Sequence, residues 1–207
     1  RMVHLDDGRV VYDGPVKWDR PAHMRSSAAR RREPRSDQPL LAVRGLTHSY
    51  GERTALAGVD LDVARGEIVG VMGDNGSGKT SLLLGIMGIV RPQAGRVMLH
   101  GEDISALPVS ARASRIGFVF QNPNHQLFTD SVWREAAAGP LARGRSPEEC
   151  RPVALSLLRR FGLESVCDRH PLTLSFGQRR RLNLAAALIS DPDLLMLDEP
   201  FAGQDMK

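Results

Sequence analysis

The stretch GDNGSGKT, Gly73–Thr80, decides how this chain is read. Its three glycines offer nothing to a core, yet the apolar run Ile68–Met72 leads into it and Leu82–Leu84 leads out. An apolar run, a glycine-rich loop and a second apolar run predict strand, loop and helix. Glycine allows the backbone to turn its N–H groups inward, where they form an anion-binding nest. A helix opening near Gly78 adds the positive end of its dipole to the same place.

The spacing fits G-x-x-x-x-G-K-[ST], the P-loop that cradles nucleotide phosphates. Gly73, Asp74, Asn75, Gly76, Ser77, Gly78, Lys79, Thr80 and Ser81 are therefore the candidate nucleotide-binding residues. Lys79 can reach the β- and γ-phosphates of ATP, and the Thr80 hydroxyl is a candidate Mg²⁺ ligand. Lysine is scarce in this chain, limited to Lys17, Lys79 and Lys207, which makes its presence here more telling. A P-loop also needs a carboxylate at a strand end to position the metal. LLMLDEP supplies it: Leu194–Leu197 read as a buried strand with Asp198 at its C-terminal end, able to hold Mg²⁺ through water. Glu199 follows, placed to orient and polarise the attacking water.

The chain has 207 residues, 42% of them hydrophobic and 25% charged, the balance of an ordinary globular protein. That length holds one sizeable domain and part of another. No run of about 18 apolar residues reads as a membrane-spanning helix. The opening RMVHLDDGRV lacks the basic-then-apolar order of a secretion signal. Two cysteines, Cys150 and Cys167, fit a reducing compartment and suggest neither a disulfide framework nor a metal site. Net charge is +4, and it is unevenly placed. Residues 18–36 hold Arg20, Arg25, Arg30, Arg31, Arg32 and Arg35 against Asp19 and Glu33, a surplus of four, so the rest of the chain sums to zero. A neutral body lacks the basic face of a nucleic-acid-binding domain, and no nucleic-acid partner is expected.

Along the chain, residues 1–15 hold two short apolar runs joined by Asp6-Asp7-Gly8, a hairpin signal. Residues 16–39 lose periodicity, are rich in Arg, Ser, Ala and Pro, and read as a solvated linker. From Leu40, strand-like runs recur at 41–46, 59–63, 67–72, 96–99, 115–120 and 194–198, with helical stretches between them. A helix is predicted over 147–163, with Ser146 as cap, Pro147 in the first turn, Glu149 completing a capping box and Gly162 after the end. Pro152 lies deep inside it and argues for an interruption. Strands alternating with helices predict an α/β domain.

The segment LTLSFGQRRRL, Leu172–Leu182, precedes the LLMLDEP strand. It resembles the signature motif of ABC-type ATPases, usually LSGGQ, with Phe176 in place of the first glycine. P-loop, signature and acidic strand end stand in that family's order, and the resemblance covers residues 40–207. It implies a P-loop NTPase of ABC ATPase type, with a RecA-like core, an antiparallel β part and a helical subdomain over about 129–176. It also implies a head-to-tail dimer with ATP sandwiched between one P-loop and the opposing signature motif of a second ABC ATPase domain. Ser175, Phe176, Gly177 and Gln178 would then meet the partner's γ-phosphate from the start of a helix, where serine and glutamine have capping-box spacing. Arg179–Arg181 read as a solvated face of that helix.

Further positions match the family. Gln121 resembles the Q-loop glutamine that touches Mg²⁺, Asp205 the D-loop aspartate at the dimer interface, and Tyr50 the aromatic that stacks on adenine. FQNPNHQLF, Phe120–Phe128, followed by SVWREAAAGP resembles the ATPases of energy-coupling factor transporters, although Arg134 and Ala136–Ala138 depart from their pattern. That resemblance implies an ATP-hydrolysing subunit on the cytoplasmic face of a membrane, working with transmembrane transporter subunits in metal-ion or vitamin uptake. The family's switch histidine is expected just beyond Lys207, and RMVHLDDGRVVYDGP resembles the segment that follows it. The chain is therefore expected to be an excerpt: the tail of one ATPase domain at 1–15, a linker at 16–39, and a second domain at 40–207; the alternative for 1–15 is a chance hairpin extension. The alternatives are a soluble ABC-type ATPase, or a fragment that binds nucleotide without turning it over.

Overall fold

The computed structural model describes residues 1–15 and 38–199. These fall into two compact units, Arg1–Pro108 and Val109–Lys207, each taken by itself below.

The first unit opens with a hairpin, β1 (Met2–Asp6) and β2 (Arg9–Gly14). Asp7 (φ 43°) and Gly8 (φ 73°) form its turn, the positive-φ pair that matches the twist of two antiparallel strands. Val3 and Leu5, two apart on β1, are completely buried. The Arg1 guanidinium ties Asp13 of β2 to Glu67 and draws the Asp13 carboxyl below its ordinary range. The chain continues through β3 (Leu41–Tyr50), β4 (Arg53–Val63), β5 (Gly70–Met72), α1 (Lys79–Met87), β6 (Ala94–Leu99) and β7 (Glu102–Asp103). Two sheets result, in strand orders β2-β1-β5 and β4-β3-β6-β7. The second is antiparallel throughout. In the first, β1 runs parallel to β5 with Met2, Val3 and His4 opposite Gly70, Val71 and Met72. The hairpin thus supplies the sheet neighbour of the strand that leads into GDNGSGKT. Leu41, Val43, Leu46, Leu56, Leu82, Ile86, Val97 and Leu99 are buried in this unit.

The second unit runs α2 (Val109–Arg112), β8 (Ile116–Val119), a 3-10 turn at Pro123–Gln126, α3 (Val132–Ala136), α4 (Ala138–Ala142), α5 (Pro147–Arg160), α6 (Phe176–Leu188) and β9 (Leu194–Leu197). β8 and β9 pair in parallel from Ile116–Leu194 to Val119–Leu197. Between them the helices enclose an apolar cluster of Val132, Trp133, Ala136, Cys150, Ala154, Leu158, Leu163, Leu174, Leu182 and Ala185.

Several expectations shift at element ends. β3 and β4 extend well past 41–46 and 59–63, because Gly45 and Gly58 lie within strands that bulge there. β5 is shorter than 67–72: Glu67 closes a turn to Ala64 through both its N–H and its carboxylate. α5 passes through Pro152 without a break. Pro152 and Glu148 both stand on the exposed face, so the carbonyl released by the missing N–H can be hydrated.

Candidate functional site

β5 ends at Met72 and α1 begins at Lys79, so Gly73–Gly78 form the loop between strand and helix. Gly73, Gly76 and Gly78 have φ of 145°, 87° and 102°, conformations that favour glycine. A Cβ on Gly78 would stand 2.3 Å from the Ala55 carbonyl oxygen, and one on Gly73 2.2 Å from that of Leu5. The hairpin reaches the same loop: Gly8 N–H donates to the Ser77 carbonyl at 3.1 Å and Ala57 N–H to the Gly8 carbonyl at 2.9 Å. The Lys79 ammonium is folded over the loop, donating to the carbonyls of Gly73 (2.7 Å) and Asp74 (2.8 Å).

Two features fit this loop to a phosphate. The Ser77 hydroxyl is buried without a hydrogen-bond partner, an arrangement that costs about 1–3 kcal/mol unless something else satisfies it. The helix α1 has no side-chain cap at Gly78, and the first-turn N–H groups of a helix point out of its end, where an anion can meet them. Thr80 is exposed and Ser81 half-buried. Asp74 and Asn75 are exposed on the loop. Tyr50, also exposed, meets His48 edge-on at 4.7 Å.

The second unit brings Gln121, Asp198 and Glu199 together. Asp198 is buried at the end of β9, with its N–H donating to the Val119 carbonyl at 2.9 Å. Glu199 follows in the left-handed region at φ 45°, and its carboxylate accepts from the Gln121 side-chain amide. Among the described residues no group of three or more His, Cys, Asp or Glu could hold a metal ion unaided. A Mg²⁺ held by Gln121 and Asp198 of this unit would thus depend on water and substrate oxygens for further ligands, as Mg²⁺ commonly does.

Ser175 caps α6 with a closed capping box: its hydroxyl accepts from Gln178 N–H (3.3 Å) and the Gln178 side chain accepts from Ser175 N–H (2.9 Å). Phe176 is exposed and Gly177 half-buried. At α5 the Ser146 half of the expected box is formed, Glu149 N–H donating to its hydroxyl. Asp205 lies outside the described residues.

The arginines after the signature correct the expectation of a solvated face. Arg180 is buried and donates to the Glu199 carbonyl. Arg179 donates to the carbonyls of Leu172 and Leu174 and to the Asn124 side chain. Arg181 donates to the Phe161 carbonyl at 3.0 Å. Three consecutive helical residues sweep about 200°; here the middle one, Arg180, faces inward while Arg181 stays exposed. Other residues not foreseen also shape this region. The buried Glu135 accepts from the N–H groups of Phe128 and Thr129 and from the Thr129 hydroxyl, anchoring that loop to α3. Asn183 on α6 donates to the Pro123 carbonyl at 2.9 Å.

A sequence profile described as ABC transporter matches residues 56–202. The energy-coupling factor transporter ATP-binding protein EcfA2 of Acetivibrio thermocellus is 37% identical over 173 residues, covering 81% of this chain and 62% of that protein. The chain spans only about 30% of the length of the first curated relatives it matches, from Vibrio species. Among solved structures, cbiO1 from Clostridium perfringens, part of the ABC transporter complex cbiONQ, aligns with a TM-score of 0.70 at 34% identity, covering 82% of this chain and 68% of that one. The ATP-binding cassette MJ0796, solved as a dimer in a post-hydrolysis state bound to ADP and Pi, aligns with a TM-score of 0.71 at 29% identity over 80% of this chain and 76% of its own.

Proposed function

The chain belongs to the ABC transporter family, and on that premise we propose that it is an ATP-binding and ATP-hydrolysing cassette that energises a membrane importer of the energy-coupling factor type. The observation that carries the proposal is the uncapped start of α1 beneath a glycine loop, with the Lys79 ammonium held on two loop carbonyls. Those carbonyls can be exchanged for the β- and γ-phosphate oxygens of ATP, while the first-turn N–H groups take the β-phosphate. Thr80, Gln121 and Asp198 would hold Mg²⁺, which supplies charge neutralisation on the phosphates. Glu199 takes a proton from the attacking water as the water oxygen bonds to the γ-phosphorus and the bond to ADP breaks.

The subfamily rests on FQNPNHQLF and on the likeness to EcfA2 and cbiO1. The cassette would work against a second ATPase domain, whose phosphate Ser175, Gly177 and Gln178 would meet, and beside transmembrane subunits at the cytoplasmic face. No helix among the described residues is long and apolar enough to cross a membrane.

The test uses the full-length protein, ATP titration and phosphate release. Lys79→Ala should abolish measurable ATP binding. Glu199→Gln should bind ATP within a few-fold of the parent and lose turnover by about 100-fold or more. Undiminished turnover in Glu199→Gln would overturn its assigned role, and undiminished binding in Lys79→Ala would overturn the nucleotide site.

A further inference from the structure

On β8, the Val119 carbonyl faces β9 and accepts from Asp198 N–H. Strand alternation sends the backbone groups of the neighbouring residues to the opposite side. There the Phe118 carbonyl and the Phe120 N–H meet one side chain, that of Gln126. Its amide oxygen accepts from Phe120 N–H at 3.1 Å, and its amide nitrogen donates to the Phe118 carbonyl at 2.9 Å. Among the described residues no strand pairs with that edge, and the side chain completes it as a neighbouring backbone would. Gln121 is the next residue along.

We infer that Gln126 is a positioning residue for Gln121: its side-chain amide pins the end of β8 and so fixes where the Gln121 amide meets the Glu199 carboxylate. This rests on the proposed roles of Gln121 and Glu199 and deepens them.

The chemistry at position 126 is restrictive. The contact needs a donor and an acceptor on one rigid plane, at the reach of a two-carbon stem. Glutamate has the reach but no donor when ionised, and sets its charge against the Phe118 carbonyl. Leucine satisfies neither backbone group. The rest of the turn is fastened independently: Asn122 caps it by accepting from Asn124 N–H at 3.0 Å, and α6 holds it through Asn183 at Pro123 and Arg179 at Asn124. With the far side of the turn secured to α6, Gln126 ties its near side to the strand. Gln121 sits between these two attachments.

The experiment is steady-state hydrolysis and equilibrium ATP binding in the full-length protein carrying Gln126→Glu, Gln126→Leu, Gln121→Ala, or Gln121→Ala with Gln126→Leu. Both Gln126 variants should retain the parent's ATP dissociation constant within about twofold and lose turnover by about tenfold. Added to Gln121→Ala, the Gln126→Leu change should cause no further loss, because it acts through a side chain already removed. A residue that merely holds the fold together would lower the melting temperature and reduce turnover equally in both backgrounds. Parent-like turnover in the Gln126 variants, or a full further loss in the double variant, overturns the inference. If Gln126→Leu does not fold, the isosteric Gln126→Glu decides, alone and combined with Gln121→Ala. Parent-like turnover in Gln121→Ala itself would instead sink the proposed role of Gln121, a result distinguishable from failure at position 126.

Discussion

At Gly78 a methyl group would press on backbone, the carbonyl of Ala55 at 2.3 Å, whereas at Gly76 it would meet the movable end of the Arg53 side chain at 2.5 Å. Both positions have positive φ, which costs an alanine about 1–2 kcal/mol in either place. Only Gly78→Ala must also displace a strand, and Gly8 approaches the same strand carbonyl, its own Cβ 2.7 Å away if one were added. Gly78→Ala should therefore weaken ATP binding at least about tenfold and lower the melting temperature by several degrees, with Gly76→Ala clearly milder on both counts. Equal losses at the two positions would show that Ala55 does not brace the loop. This contrast also marks how far single residues can be read from sequence. The spacing of glycines, lysine and threonine announces its chemistry because no other residue types serve it. Gln126, Asn183 and Arg180 have no such signature: their roles depend on which way a side chain turns on a folded backbone, and an arginine is solvated far more often than buried.

Helix starts separate stability from function at the scale of elements. Ser146 and Ser175 both accept from the backbone N–H three residues on, a bond worth about 1 kcal/mol of stability when an N-cap serine becomes alanine. Ser146→Ala and Ser175→Ala should each lower unfolding stability by about that amount, measured by urea denaturation. If Ser175 also meets a partner's phosphate, only its variant should lose ATP turnover at saturating ATP. Equal turnover in the two variants would reduce Ser175 to a capping residue. Elements were legible where a local rule sufficed: the hairpin from Asp7-Gly8, the α5 start from Ser146-Pro147, the β9 strand from Leu194–Leu197. They were not legible where tertiary pairing overrode local pattern. The polar tail of β3, His48 to Tyr50, is held in strand by β4 across the sheet. The apolar Ile68 is left 88% exposed because the Glu67 turn precedes it, and no periodicity in the sequence signals that.

Across the whole chain, charge is the property that composition states and the described residues leave open. The surplus of four positive charges lies in residues 18–36, wholly outside the described residues. Among the described residues, the phosphate loop is held from residues 5–8, 53–79 and 82. Replacing Arg20, Arg25, Arg30, Arg31, Arg32 and Arg35 by serine removes six charges and takes the chain from +4 to a net charge of −2. ATP affinity should stay within about twofold, since screening at about 0.15 M salt limits a charge's reach to about 8 Å. The same variant tests the expectation that nucleic acid is no partner: neither it nor the parent should retain DNA or RNA at that ionic strength. Retention by the parent that falls steeply with added salt and vanishes in the variant would assign the arginines to phosphate backbones. Retention that survives in the variant would place a nucleic-acid surface on the folded body, and the importer reading would then give way to a soluble ATPase.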